Sequence, residues 1–316
     1  MSKIITKIHC GIDVAKHHLD VACLGKTKRF ESTAKGFAEM RDWLATQVDP
    51  GILHAIFEPS GGYEIKLAEW LTAQEIAWSR PNALRVRDFA RSKGIMAKTD
   101  RIDAKVLAAF GEQFQPQAHQ LEPESVRKLR SLMKRREQIV QLMVQEKVAL
   151  ESTSDSFCRK EINNSIRRFE RDIARLEQEI EKCLAVQVEL KERVELLQSY
   201  SGVGKQTALV LVAFLPELGQ VNRREIASLG GLAPVTRESG LWKGQRRLGP
   251  GRVRVRKALY MAALSACRYN TVLRELYQKM REAGKPAKVA LCAIARRLLT
   301  ALNSLVKTSL PQPLNS

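Results

Sequence analysis

The sequence predicts a fold of class α/β plus α: an N-terminal mixed sheet packed with helices, a long coiled-coil helical hairpin, and a mainly helical C-terminal domain. Three observations predict it. Residues 4–110 alternate short apolar runs with stretches of helical spacing, the pattern of a sheet carrying helices on its faces. Residues 124–198 contain neither glycine nor proline and hold an apolar repeat of threes and fours. Residues 199–308 return to apolar helices punctuated by glycine-rich loops. The expected domain boundaries are 1–122, 123–198 and 199–316.

In the first region, Ile8 to Val14 and Leu19 to Leu24 read as strands. The polar turn Lys16-His17-His18 between them predicts an antiparallel hairpin, and Lys28 to Glu31 adds a third strand. Phe37, Met40, Trp43 and Leu44 share one helix face. Leu53 to Phe57 is an apolar strand ending at Glu58-Pro59-Ser60-Gly61-Gly62. Tyr63 to Leu71 is helical, Ile76 to Ser79 is a strand, and a helix opens near Pro81-Asn82. A last helix covers Arg101 to Phe110.

In the second region, Val126, Leu129, Met133, Val140 and Met143 step by threes and fours, with Arg136 interrupting. Ile162, Ile166, Phe169, Ile173, Leu176, Ile180, Cys183, Gln187, Leu190, Val194 and Leu197 then alternate steps of four and three, with Gln187 the single polar member. A period of about 3.5 residues sustained this long is a coiled-coil signature. The polar break Ser152-Thr153-Ser154-Asp155-Ser156 separates two antiparallel helices. Charged residues flank the seam, which favours dimerisation over a hairpin packed on its own domain.

The third region opens with Tyr200-Ser201-Gly202-Val203-Gly204-Lys205 before the apolar helix Thr207 to Leu215. Such a turn matches a helix-hairpin-helix element, in which glycine backbone and helix N-terminus face a phosphate. Gly202, Gly204 and Lys205 are therefore candidate nucleic-acid contacts, although a tight turn alone also explains both glycines. The loop Gly230 to Gly251 follows. From Arg237 to Lys257 there are eight basic residues and one acidic one. Arg237, Lys243, Arg246, Arg247, Arg252, Arg254 and Arg256 are the candidate phosphate contacts, because arginine forks match phosphate oxygens in pairs. Ser239 sits among them, followed by a glycine. A serine there can attack a phosphodiester while arginines stabilise the developing charge; Ser-Gly is equally a common turn pair.

Over the whole chain of 316 residues, 53 Lys and Arg oppose 34 Asp and Glu, a formal charge of +19. That excess points to a polyanionic partner, DNA or RNA. No uninterrupted apolar run reaches ~18 residues, and the start lacks a signal peptide's apolar stretch, so the expected location is cytoplasmic with no membrane partner. The six cysteines are far apart and form no C-x-x-C pair, which excludes a zinc ribbon and predicts free thiols.

Four carboxylates stand out by position. Asp13 closes the first apolar strand and Glu58 ends another, while Asp100 and Asp103 lie three apart at the start of a helix, on one face. Each alone has a structural explanation as a cap or ion-pair partner. Converging, they repel unless divalent cations intervene. Mg²⁺, with Mn²⁺ as a substitute, takes a few carboxylate oxygens plus water and phosphate oxygens. A pair of such ions serves the two oxygens of a phosphoryl transfer. Strand Asp, strand Glu, then a helical Asp pair is the order of the RuvC-like, ribonuclease H-type nuclease fold.

The whole chain resembles the transposases of the bridge-RNA-guided insertion-sequence recombinases, the IS110 family. The matching pieces, in the family's order, are Gly11-Ile12-Asp13-Val14-Ala15-Lys16, Glu58-Pro59-Ser60-Gly61, Lys98 to Ala104, Ser201-Gly202-Val203-Gly204, Gly231-Leu232-Ala233-Pro234, Ser239-Gly240 and Arg256 to Ala263. The resemblance implies that Asp13, Glu58, Asp100 and Asp103 form a metal-binding tetrad and that Ser239 forms a covalent phosphoserine link to DNA. It further implies donor and target DNA as substrates, a non-coding bridge RNA that pairs with both, and homodimers that assemble into tetramers. The alternatives are a metal-dependent junction nuclease in which Ser239 only binds phosphate, and a non-catalytic nucleic-acid-binding scaffold.

Overall fold

The computed structural model describes residues 7–97, 99–235 and 247–309, together with the backbone of 238–239 and 242–243. Contacts divide the chain into two compact units, Met1–Glu122 and Pro123–Ser316.

The first unit is built on a five-stranded sheet of order β3-β2-β1-β4-β5. Its strands are β1 (Ile8–Val14), β2 (His18–Cys23), β3 (Lys26–Glu31), β4 (Leu53–Phe57) and β5 (Ala77–Ser79). The β1–β2–β3 meander is antiparallel; β1, β4 and β5 run parallel. Helices α1 (Ala34–Ala45), α2 (Glu64–Ala73), α3 (Ala83–Ser92) and α4 (Asp100–Phe114) connect and cover them. Strand alternation sorts the two faces. Cys10, Ile12, Val14, Leu19, Val21 and Phe57 point to a core shared with Phe37 and Met40 of α1 and Leu67 and Leu71 of α2. The other face holds Ile56 against Val86 and Phe89 of α3 and Val106, Leu107 and Phe110 of α4.

Helix α4 lies unusually close to β1, because glycines meet at both crossing points. A Cβ on Gly11 would stand 1.9 Å from the Ala104 carbonyl oxygen, and one on Gly111 would stand 2.7 Å from the Cβ of His9. Thr99 caps α4, its hydroxyl accepting from the Ile102 amide at 3.3 Å, so Asp100 and Asp103 fall in the first turn. Carboxylates there are favoured by the helix dipole.

The second unit is helical. Its long hairpin consists of α5 (Glu124–Ser152) and α6 (Ser156–Val186), followed by α7 (Val188–Gln198). Asp155 caps α6 by accepting from the Cys158 amide at 2.8 Å. The apolar seam read from Ile162 to Leu197 does not run in one helix. Gln187 takes an extended backbone (φ −114°, ψ 90°) between exposed Val186 and Val188, so α6 stops there. The reason lies in the core: Ile180, Cys183 and Leu184 before the break, and Leu190, Val194 and Leu197 after it, pack with the helices that follow. Nearer the hairpin tip the seam is thinner. Ile162, Phe169, Ile173 and Leu176 are only half-buried.

Those following helices are α8 (Lys205–Phe214), α9 (Arg223–Leu229), α10 (Val253–Tyr269), α11 (Thr271–Glu282) and α12 (Ala287–Ser309). Helix α12 is long and apolar enough to cross a membrane, yet half of it is buried in the unit's core. Its outer side carries Lys288, Arg296 and Arg297, the pattern of a core helix. Between α9 and α10 stand short two-stranded ladders: β6 (Pro234–Val235) pairs with β9 (Arg247–Leu248), and β7 (Glu238–Ser239) with β8 (Trp242–Lys243).

Candidate active site

The acidic site starts from strand register. Ile12 of β1 pairs with Phe57 of β4, so Asp13 and Glu58 follow side by side at the carboxyl ends of two parallel strands. Ligand sites in open α/β sheets favour such strand ends. The close approach of α4 at Gly11 then brings Asp103 to the same place. Asp13, Glu58 and Asp103 line one cleft of about 490 Å³, whose walls include Val86, Arg87 and Arg91 of α3 and exposed Met96.

Asp100 is placed differently. It is not among the residues lining that cleft. Its Oδ2 lies 3.2 Å from His18 Nε2 and 3.1 Å from the Arg29 guanidinium. The His18 hydrogen bond, with the charges of His18 and Arg29, holds the Asp100 carboxyl below its ordinary pKa. Spacing of three residues puts Asp100 and Asp103 on one helix face, but Asp100, as first residue of α4, faces the end of the β2–β3 hairpin.

Sequence reasoning missed what holds Asp100. Asp13 pairs across strands with Asp20, and Asp20 with Arg29, so one row across the sheet reads Glu58, Asp13, Asp20, Arg29. Asp20 is 1% exposed and accepts Arg29 Nη2 at 2.6 Å and Nε at 3.0 Å. A buried carboxylate is costly without such a fork. One donor atom each of His18, Asp20 and Asp100 lie within 4.8 Å of one another, a possible acidic metal site. The available signal was parity: Asp20 lies across the predicted hairpin from Asp13.

Glu64 was also missed. It is buried at the start of α2 and accepts from the Ser60 amide (3.0 Å), the Ser60 hydroxyl (3.0 Å), the Gly62 amide (2.8 Å) and Arg80 Nη1 (3.2 Å). Burial pushes its carboxyl up, but these donors outweigh it and hold the group below its ordinary range. Glu64 thus ties down the Pro59-to-Gly62 turn that leaves Glu58.

In the second unit, Ser239 pairs by its backbone with Trp242 at the end of its ladder. Arg237, Arg246 and the side chains of Ser239 and Lys243 lie outside the described residues. The stem below is pinned shut. A Cβ on Gly251 would stand 2.3 Å from Gly231 Cα, and Arg256 Nη1 donates to the carbonyls of Gly231 at 3.1 Å and Gly249 at 3.3 Å. Three other candidate phosphate contacts sit in ion pairs: Lys205 with Glu181 at 2.5 Å, Arg252 with Glu217 at 2.5 Å, and Arg254 with Glu137. Arg247 is exposed in β9. Gly202 has φ +94° and a Cβ there would stand 2.4 Å from Ala266 Cα, whereas Gly204 has open space and caps α8.

Hard carboxylate oxygens at the end of a sheet, beside arginines, suit a divalent cation and a phosphate. A profile of IS110-type DEDD transposases matches residues 10–158, and one described as transposase of the IS116/IS110/IS902 family matches residues 194–278. The chain is 30% identical over 317 aligned positions to a pilin gene-inverting protein of Moraxella bovis, covering 97% of this chain and 98% of the relative. A protein of the same description from Moraxella lacunata matches at the same identity and coverage. Fold, acidic site and relatives converge on one conclusion: the chain belongs to the IS110 family of transposases and is a DNA recombinase.

Proposed function

We propose that the cleft holding Asp13, Glu58 and Asp103 is the metal-dependent half of a strand-exchange site, and that Ser239 is the nucleophile of the other half. The convergence of those three carboxylates on one cleft carries the reading. Asp13, Glu58 and Asp103 would hold Mg²⁺, with Asp100 joining from the same first turn of α4 as Asp103. When bound, the ion supplies positive charge to the oxygens of the phosphate undergoing transfer. Arg87 and Arg91, on the cleft wall, would hold the DNA backbone.

The Ser239 oxygen forms a bond to phosphorus as the bond to the leaving deoxyribose oxygen breaks, and the serine proton passes to solvent or a nearby base. Attack by a deoxyribose hydroxyl of the second DNA reverses this. One phosphodiester is conserved throughout, so no external energy is required. A bridge RNA supplies sequence choice by base pairing, as in other guided systems, and the chain works in the cytoplasm. The half-buried part of the seam toward the hairpin tip, Ile162, Phe169, Ile173 and Leu176, supports a coiled-coil dimer, with dimers assembling into tetramers. The relatives' description favours inversion when both sites lie on one DNA molecule.

Strand exchange between two marked DNA duplexes, with the bridge RNA present, tests the reading. Asp13→Asn, Glu58→Gln and Asp103→Asn each abolish exchange at normal thermal stability, and chelation of Mg²⁺ does the same. Full exchange by any of the three refutes the assignment.

A further inference from the structure

The second unit carries a groove of about 920 Å³ between α9, α11, α12 and the stem of the serine loop. Its size lies at the upper end of the ~300–1,000 Å³ typical of ligand pockets. Six cations line it: Arg223, Arg224, Arg247, Lys288, Arg296 and Arg297. Among the described residues no carboxylate lines it, and none of the six takes part in an ion pair. Elsewhere in the same unit Lys205, Arg252 and Arg254 are each matched by a glutamate. Six uncompensated cations on one concave surface repel one another unless an anion enters.

The floor is of the opposite character. Leu232, Leu276, Met280, Val289 and Ala293 form it, with half-buried Cys292 beside them. Helix α12 explains the division. Ala290, Leu291, Ile294, Ala295 and Leu298 face the core, while Lys288, Cys292 and Arg296, and beside them Val289, Ala293 and Arg297, form two i, i+4 rows toward the groove.

We infer that this groove binds a single-stranded DNA segment, with phosphates on the six cations and unpaired bases against the apolar floor. Duplex DNA presents phosphates and groove edges, not base faces, and leaves such a floor unused. An unpaired strand offers both an anionic backbone and apolar base faces. The groove wall includes Pro234, Arg247 and Leu248, the stem whose continuation carries Ser239. A strand held there is an opened strand beside the loop proposed to cut it. This inference rests on the proposed recombinase reading for its biological sense, but the binding itself does not require Ser239 or metal.

The test is fluorescence anisotropy of the full-length protein with a labelled single-stranded oligodeoxynucleotide, in chelator, across a salt series. Each phosphate contact on a single strand contributes about −0.7 to the slope of log affinity against log salt. Arg223→Gln with Arg297→Gln therefore flattens the slope by about 1.4, with the thermal melt unchanged. Ala293→Glu, on the exposed floor, weakens single-strand binding without changing duplex binding. Single-stranded DNA also slows alkylation of Cys292, read by peptide mass mapping, while exposed Cys158 keeps its rate. An unchanged slope, an equal loss for duplex, or RNA of the same sequence alone protecting Cys292 each overturn the proposal. Loss of exchange in Asp13→Asn with the slope intact bears on the acidic site and leaves the groove standing.

Discussion

Gly11 touches Ala104 with no room for a methyl group between them: a Cβ on Gly11 would stand 1.9 Å from the Ala104 carbonyl oxygen and 2.4 Å from the Ala108 amide nitrogen. Both obstacles are backbone, so no rotamer change relieves the clash. Gly11 lies two residues before Asp13, and Ala104 directly follows Asp103. The contact brings together the two segments whose carboxylates line the cleft. Gly11→Ala is expected to destabilise the first unit by about 1–3 kcal/mol, as overpacking does, and to lower strand exchange beyond that loss. A melting curve equal to wild type contradicts the close approach.

The buried histidines predict an acid-sensitive fold. His54 Nε2–H donates to the Ser79 hydroxyl at 2.8 Å, whose own proton goes to the Gln117 carbonyl at 2.5 Å. Burial, then the neighbouring His9, Lys7 and His119, push the His54 pKa down to about 4. His9 is lowered in the same direction, chiefly by burial. The folded state therefore keeps His54 neutral while the unfolded chain protonates below about pH 6.5. Stability is complete above that value and falls as pH drops toward 4. At pH 5 the loss from His54 is about 2 kcal/mol. Urea unfolding at pH 7 and pH 5 measures it. His54→Gln, which cannot titrate, shows a smaller drop between the two; an identical drop contradicts the assignment.

The two glycines of the turn before α8 separate in the same way. Gly202→Ala meets Ala266 and a positive φ, and is expected to lower the melting temperature. Gly204→Ala meets open space and leaves it unchanged. Equal thermal shifts in both contradict the packing described.

The hairpin tip predicts self-association. Val148 is 61% and Phe157 70% exposed, and both lie next to the break between α5 and α6, where together they offer a second copy an apolar surface. The double variant Val148→Asp, Phe157→Asp is expected to shift the protein toward monomer in sedimentation velocity. A dimer unchanged in affinity contradicts the role of the tip.

Much of this was legible in the sequence because strands and helices impose different periods. Asp13 and Glu58 were readable as carboxylates ending apolar strands, and Asp103 as a first-turn residue. The role of Asp20 was only half readable: parity sets it across the hairpin from Asp13, but it sits in an apolar strand and its partner Arg29 is set by the register of β2 and β3. Glu64 looked like an ordinary helix start, since the amides it receives depend on how the chain folds back from Glu58. The heptad seam misled about continuity, because a repeat of threes and fours does not reveal whether a second chain or the same core covers it. Ile180 and Leu197 are covered by their own unit. The basic groove escaped too, since its cations come from three segments spread over more than seventy residues, and only α12 carries a readable amphipathic pattern.

The joint role of the acidic cleft and Ser239 is tested most directly by trapping the reaction half-way. A nicked DNA substrate that loses its leaving fragment prevents rejoining, and a denaturing gel reads any protein left attached to DNA. Wild type with Mg²⁺ is predicted to give a covalent adduct, which peptide mapping places on Ser239. Ser239→Ala, Asp13→Asn and chelator each abolish it. An adduct that persists in Ser239→Ala, or strand exchange by that variant at the wild-type rate, contradicts the account.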